Sequence, residues 1–586
     1  MSTTPAASLY ERHMKTLNAA VAAIGDRGYF SAYPEVPSGK IYGETAKDDG
    51  QNAFNARLLA PFEFNHSQAA AQANMNDHIG AEHSPFGIDL GITYPKLDLQ
   101  RAVNAAKSAM KSWAKASPEE RVGVCLEALV RLNKRSFELA FAVMHTTGQG
   151  FMMAFQAGGP HAQDRALEAV AYAWQEMKRH PHRATWQKQV SKTDLITLEK
   201  SFHIVPRGIA AVIACSTFPT WNSYPAMFAD LVTGNAVIVK PHPGAILPLA
   251  LTVDIIRDVL AECGFDPNVV LLAPDSAEAP ITKELVTHPD VKIVDYTGGS
   301  SFGEWIEQNA TQAIVFTEKA GVNSVILDST DDLKALTGNL AFTLSLYSGQ
   351  MCTTSQNIFI PRNGIKVGSE HKSFDEVASA IVGAVNWFLS EPKRAAEVLG
   401  AIQNEHTARR VNDAAHEGAT ILRPSESIQN DAFPNARTCS PIILKADASQ
   451  RDLYMREMFG PIAYIIATDS TRQSIELASE AAKKLGAITW AVYSTDDAVL
   501  ADAEEAAIEA GVPLSCNLTG QIFVNQSAAF SDFHVTGCNP SGNATLTDSA
   551  FIAGRFRWTQ CRMPVKAATD QDGAAAKPHA VASARV

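Results

Sequence analysis

The clearest hydrophobic rhythm starts near residue 98. In "DLQRAVNAAKSAMKSWAKA" (98–116) apolar residues recur at helical spacing, with Ala102, Ala105, Ala109 and Trp113 on one side. "SPEERVGVCLEALVRLNKRSFELAFAVMHTTG" (117–148) continues the pattern. Ser117, Pro118 and Glu120 form a start signal there: an N-cap, a first-turn proline and a capping-box acid. "HAQDRALEAVAYAWQEMKR" (161–179) is a third amphipathic helix. "ATWQKQV" and "DLITLEKSFHIVPRG" then alternate apolar and polar residues, which predicts strands.

The rhythm changes at 208. "GIAAVIACS", "TGNAVIVKP", "NVVLLAP" and "VKIVDYTGG" are short apolar runs separated by helical stretches. That alternation predicts a parallel, doubly wound α/β sheet, which binds ligands at the carboxyl ends of its strands. A second set, including "VNSVILDS", a helical 333–350 region, "QNIFIP", "IAYIIATD" and "AITWAVYS", predicts a second α/β domain. "RFRWTQCRMPVK" (555–566) alternates like an exposed strand, an aggregation hazard unless paired, so it points to a partner subunit. Before the first clear helix, residues 1–85 show little periodicity and are expected to be an irregular, partly packed extension. After the last strand, 567–586 is Ala-rich and expected to be disordered.

Composition narrows the class. At 586 residues the chain exceeds one compact core. The expected division is an extension (1–85), a nucleotide domain (86–318) with arm strands inserted near 184–200, a catalytic domain (319–530), and a return segment with an oligomerisation strand (531–566). A net charge of −12 argues against nucleic acid as a partner. No apolar run is long enough for a membrane span, and the charged start "MSTTPAASLYERHMK" is unlike a secretory signal. The expectation is a cytoplasmic protein with no membrane partner. Its eight cysteines form no zinc-spaced pair, and "HPHR" (180–183) reads as a surface turn, so no metal site is expected.

Four short segments carry chemistry. In "VDYTGGSSFGEW" a buried strand runs into Thr297, Gly298 and Gly299, and a helix starts with Gly303 in its first turn. Such a turn offers free N–H groups to a phosphate. Lys240, in "KPHPGA", ends an apolar strand. Glu318, in "FTEKAG", precedes Cys352, in "SGQMC", by 34 residues. A thiolate can form a thioester with a carbonyl compound, and a carboxylate can then activate water against it. Glu457 and Phe459 sit in the turn "REMFGPI".

The order and contexts of these motifs resemble the aldehyde dehydrogenase superfamily over roughly residues 90–565. The resemblance implies that Cys352 is the nucleophile and Glu318 the general base. It implies that Thr297, Gly298, Gly299 and Gly303 form the cofactor turn, that Lys240 contacts the cofactor ribose, and that Glu457 and Phe459 hold the nicotinamide ribose. It also implies NAD or NADP as cofactor, an aldehyde substrate, and a homodimer or dimer of dimers built on the arms. The extension, "STFPTWNSYP" and "KPHPGA" look most like the superfamily's phenylacetic acid degradation type, which implies a ring-opened semialdehyde carried as a CoA thioester.

Three departures stand out. The family's oxyanion asparagine falls on Thr217 by ungapped register and on Asn222 by local similarity; either could donate to a developing oxyanion beside the Cys352 N–H. NAD-preferring members carry a glutamate three residues after the lysine, where this chain has Pro243. With no carboxylate there to repel a 2′-phosphate, NADP is expected to be accepted. "PHPGA" also resembles CoA-acylating members, but those typically lack the base that Glu318 supplies. A non-catalytic protein of the same fold is the alternative of another class. Gly349, Thr353 and Thr354 are expected to be small so that a carbonyl and a nicotinamide ring can approach the sulfur.

Overall fold

The computed structural model describes residues 4–68, 78–80 and 82–565, so the 567–586 tail lies outside the described residues. Two α/β units and a three-stranded arm make up the molecule.

The first sheet has five parallel strands, in the order Val270–Leu272, Ala236–Lys240, Ile209–Ile213, Val291–Gly298 and Ile314–Lys319. The chain winds outward in one direction from Ile209–Ile213, then returns to its other side. That reversal opens a crevice at the carboxyl ends of the strands. Lys240, Thr297, Gly298 and Glu318 all lie at those ends. The strands read as unbroken apolar runs because helices cover both faces. Leu99–Trp113 lies on one face, burying Ala106 rather than the expected Ala105, with Ala102, Val103, Ala109 and Trp113.

The chain passes to the second sheet between Lys319 and Asn323. Seven strands follow in the order Thr420–Arg423, Ile442–Asp447, Ile462–Thr468, Ser355–Pro361, Asn323–Leu327, Trp490–Tyr493 and Leu514–Cys516. All pairs are parallel except the first. The arm pairs Arg183–Gln189 with Leu195–Pro206, and Leu195–Pro206 with Phe556–Pro564, all antiparallel.

The extension is not irregular. It opens with a helix, Pro5–Asp26, whose buried Leu9, His13, Leu17, Ala20 and Ile24 fall on one face. Its many alanines weaken the apolar contrast, so the periodicity is easily overlooked. Thr4 caps this helix by accepting from the Ala7 N–H. The helix packs on Pro118–Lys134 and Ala162–Lys178. Further along, Glu82 accepts from the Ile246 and Leu247 amides, which start the helix Leu247–Glu262.

The return segment is tied down by charge. Arg555 is fully buried and bonds Asp230 (2.7 Å) and Asp295 (2.9 and 2.6 Å). A cation there is compensated by two carboxylates from different elements of the first unit. Burial first, then Arg555 and the neighbouring Asp295, set the Asp230 carboxyl, whose pKa is raised well above its ordinary value.

Candidate active site

The crevice deepens into a cavity of about 490 Å³ between the two α/β units. Thr217, Asn222, Lys240, Thr297, Gly298, Gly299, Glu318, Cys352, Glu457 and Phe459 all line it. Gly303 does not. A Cβ there would sit 2.6 Å from Lys319 Cδ, so this glycine lets the helix Ser300–Asn309 lie close on the last strand of the sheet. Packing against Lys319 is thus one reason for a glycine at 303.

Cys352 follows an unusual backbone. Tyr347 (φ 51°), Ser348 (φ 48°) and Gly349 (φ 62°) are consecutive left-handed residues. Such conformations cost energy for non-glycine residues and persist only where the surroundings fix them. Here Tyr347 Oη donates to Thr147 O (2.5 Å), and Ser348 Oγ bonds Leu399 O (3.0 Å) and Cys439 O (2.9 Å). A Cβ on Gly349 would lie 2.4 Å from Gly460 O. The small residue is therefore required by the turn and by the Gly460 backbone. Thr353 is also structural, donating to Asn525 O (2.8 Å). Asn323 Nδ2 holds the Cys352 carbonyl at 2.8 Å.

Around the sulfur the side chains form a tight cluster. Cys352 Sγ is 3.6 Å from Glu318 Oε1 and 3.6 Å from His534 Nε2. His534 Nε2 is 2.8 Å from that same Glu318 oxygen. Asn222 Nδ2 donates to both Glu318 oxygens, at 3.0 and 2.9 Å. Glu318 is nearly fully buried on the strand Ile314–Lys319 rather than in a solvated loop. Asn222 lies one turn into the helix Pro219–Val232, and Thr217 just before it. Shielding from water, then the Glu318 charge, raise the Cys352 pKa well above that of a free thiol. Cys215, on the same wall, is pushed up to about 11, chiefly by burial.

Sequence reasoning missed His534. It arrives on the return segment, which lies along the outer edge of the first sheet. Lys319 N donates to Ser541 O (2.6 Å) and Asn543 N to Thr317 O (3.2 Å). Trp221 packs edge-on against the imidazole, with centroids 4.6 Å apart. A single histidine in "SDFHVTG" carries no local signal of this, because its neighbours come from far along the chain.

At the far end of the cavity Lys240 Nζ is 2.5 Å from Asp275 Oδ1, and both residues are buried. Burial lowers the Lys240 pKa, and Asp275 works against that. Position 243 is a proline, and the carboxylate that faces Lys240 comes instead from the loop after the neighbouring strand. Between the two ends, the helix Ser300–Asn309 starts at Gly299 without a side-chain cap, beside the cavity wall. Glu457 lies on the same wall, its pKa raised chiefly by burial.

The aldehyde dehydrogenase family pattern matches residues 93–550. A crystal structure of an NAD-dependent aldehyde dehydrogenase from Burkholderia multivorans superposes with a TM-score of 0.93 at 53% identity, over 96% of this chain and 100% of that one. A geranial dehydrogenase of Castellaniella defragrans is 26% identical over 411 residues, 68% of this chain and 79% of its own length. A benzaldehyde dehydrogenase of Pseudomonas putida is 24% identical over 394 residues, 65% of this chain and 73% of its own length.

Proposed function

This chain belongs to the aldehyde dehydrogenase family of NAD(P)-dependent oxidoreductases, and from that premise we propose that it forms a carboxylic acid through a thioester on Cys352. The observation that carries the reading is the 3.6 Å approach of Cys352 Sγ to Glu318 Oε1 in a cavity that also holds Lys240 and an uncapped helix start. The cavity residues fit a dinucleotide. Free amides at Gly299 and beyond suit a diphosphate, while Lys240 and Glu457 suit ribose hydroxyls. When bound, NAD(P) supplies the acceptor for the aldehyde's hydride.

The chain's own residues account for the rest. Cys352 loses its thiol proton to solvent, and the sulfur, as thiolate, forms its bond to the aldehyde carbon. The Cys352 N–H and the Thr217 hydroxyl are the donors we assign to the carbonyl oxygen as it gains charge. Asn222 is occupied on Glu318 in this geometry, so we assign it to positioning the base. His534 Nε2 lies 2.8 Å from Glu318 Oε1, and we assign it the hydrogen that joins the two. The same N–H faces the sulfur and favours its thiolate. Glu318 then takes a proton from the water that cleaves the C–S bond, and the sulfur leaves as thiolate.

For the substrate we infer the narrower class of a ring-opened semialdehyde carried as a CoA thioester in phenylacetate breakdown. Its support is the "STFPTWNSYP" and "KPHPGA" patterns and the extension. A panel of kcat/KM values decides it: the CoA-linked semialdehyde should exceed geranial and benzaldehyde at least 10-fold, and preference for either free aldehyde sinks the assignment. We also infer a homodimer or dimer of dimers joined through the arm, whose edge strands expose Trp186 and Met563. Sedimentation equilibrium giving a monomer would remove that reading. Among the described residues no helix is long and apolar enough to cross a membrane, and a cytoplasmic setting is the one we assign.

The defining experiment follows reduced-cofactor absorbance on mixing with aldehyde. Glu318→Gln should give a burst of about one equivalent and then stall, because thioester formation precedes hydrolysis. A Glu318→Gln enzyme that turns over at the wild-type rate would overturn the role of the base.

A further inference from the structure

Among the described residues, one group of three His, Cys or carboxylate side chains has ligand atoms close enough to share an ion: Glu318, Cys352 and His534, all within 4.8 Å of one another. The geometry points to a second use of this cluster, as a reversible zinc site that switches the enzyme off. The inference rests on the same pocket as the proposed dehydrogenase reaction but not on that reaction taking place.

The distances decide which ion fits. Tetrahedral zinc, with Zn–S about 2.3 Å and Zn–N and Zn–O about 2.0–2.1 Å, has ligand–ligand edges of roughly 3.5–3.6 Å from sulfur and roughly 3.3–3.4 Å between nitrogen and oxygen. Here the Sγ–Oε1 and Sγ–Nε2 edges are both 3.6 Å, and the Nε2–Oε1 edge is 2.8 Å. Two edges already match. The third is short because a hydrogen joins nitrogen and oxygen, and it opens by about half an ångström when an ion takes that hydrogen's place.

The donor set is zinc's own: one thiolate, one imidazole and one carboxylate. Magnesium and calcium, which prefer oxygen cages, are excluded by the sulfur and nitrogen. Charge balances too, since Zn²⁺ with Cys⁻, Glu⁻ and neutral His sums to zero in a largely buried pocket. Binding breaks the Cys352 S–H bond and releases that proton to solvent. The imidazole proton moves from Nε2 to Nδ1, where Ser527 Oγ lies 3.4 Å away as its acceptor. No electrons are transferred. An outer shell is already in place, with Asn222 on the Glu318 carboxylate and Ser527 on the far side of the ring. The cavity supplies the entry path, and water from it completes the fourth position. With zinc bound, both the nucleophile and the base are ligands, so no thioester can form until the metal leaves.

The test uses the full-length, metal-free protein without aldehyde or cofactor, titrated with Zn²⁺ and, as a spectroscopic stand-in, Co²⁺. The expected result is one high-affinity equivalent and a thiolate-to-cobalt charge-transfer band. Both should disappear in Cys352→Ser. His534→Gln should weaken binding by more than the roughly 10–100-fold typical of losing an outer-shell partner, and Asn222→Ala by about that range. In the wild-type protein zinc should shield Cys352 from iodoacetamide, read by peptide mass mapping, and a chelator should restore labelling. This last arm needs no variant, so it decides the matter if the substitutions fail to fold. Equal affinity in wild type and Cys352→Ser, a missing charge-transfer band, or undiminished labelling of Cys352 under zinc would each overturn the proposal. The dehydrogenase reading is tested separately by turnover of the metal-free enzyme, so either can fail without the other.

Discussion

The two ends of the cavity handle buried charge in opposite ways. At one end Lys240 and Asp275 form a compensated pair at 2.5 Å. At the other, the Glu318 carboxylate has no Lys or Arg partner among the described residues and is held by Asn222 and His534, 2.8–3.0 Å away, with a thiol beside it. A paired charge is quiet: its field is spent on its partner, and it suits fixed binding. A carboxylate held only by hydrogen bonds can still take a proton without breaking an ion pair, which suits chemistry. Substitutions at the two ends should therefore fail differently.

The largest expected effect is at the sulfur. Cys352→Ala should reduce steady-state turnover by roughly 10⁴-fold or more while leaving cofactor affinity near wild type. Near-normal turnover would dissolve the distinction between the two ends. Next comes Glu318→Gln, with a steady-state loss of about 10²–10⁴-fold behind a preserved burst. His534→Gln should slow the burst itself by roughly 10-fold and leave the cofactor KM alone; an unchanged burst would reduce His534 to packing.

The sign of the pH response follows from the raised Cys352 pKa. Below that pKa the sulfur is a neutral thiol, and the thiolate population grows as pH rises. Iodoacetamide labelling and the burst rate should both climb from neutral into alkaline solution without levelling off near pH 7. A plateau already reached in acid would contradict the burial and the Glu318 charge as causes.

At the quiet end the effects should be smaller and confined to binding. Lys240→Met should raise the cofactor KM about 10-fold, equivalent to about 1.4 kcal/mol, with little change in burst size. The smallest effect concerns cofactor choice. With Lys240 spent on Asp275, we expect NAD to be favoured over NADP, and Asp275→Asn to shift the kcat/KM ratio toward NADP by a few-fold. A wild-type preference for NADP would show that the pair is not quiet.

The frame beneath both ends was readable in part. Apolar runs separated by helical stretches announced the first sheet, because parallel strands covered on both faces must be apolar throughout. The helix Pro5–Asp26 leaves only a faint period, because alanines blur its apolar stripe. Gly349 and Gly303 are legible in the sequence as glycines, but the neighbours that crowd them are not. The Gly460 carbonyl and the Lys319 side chain that crowd them come from other elements.

The sequence by itself determined the family and the doubly wound architecture, and it singled out the thiol and carboxylate proposed for the chemistry, because those features live in local patterns and in one fixed 34-residue spacing. Only the tertiary structure decided which groups surround that pair. His534 stands 182 residues from Cys352 and 216 from Glu318, and Asp275 reaches Lys240 from the loop after a different strand. Side chains that meet by folding leave no period and no motif in the chain. Their pairing follows from how the sheets twist and pack, and from the return segment that Arg555 fastens to Asp230 and Asp295.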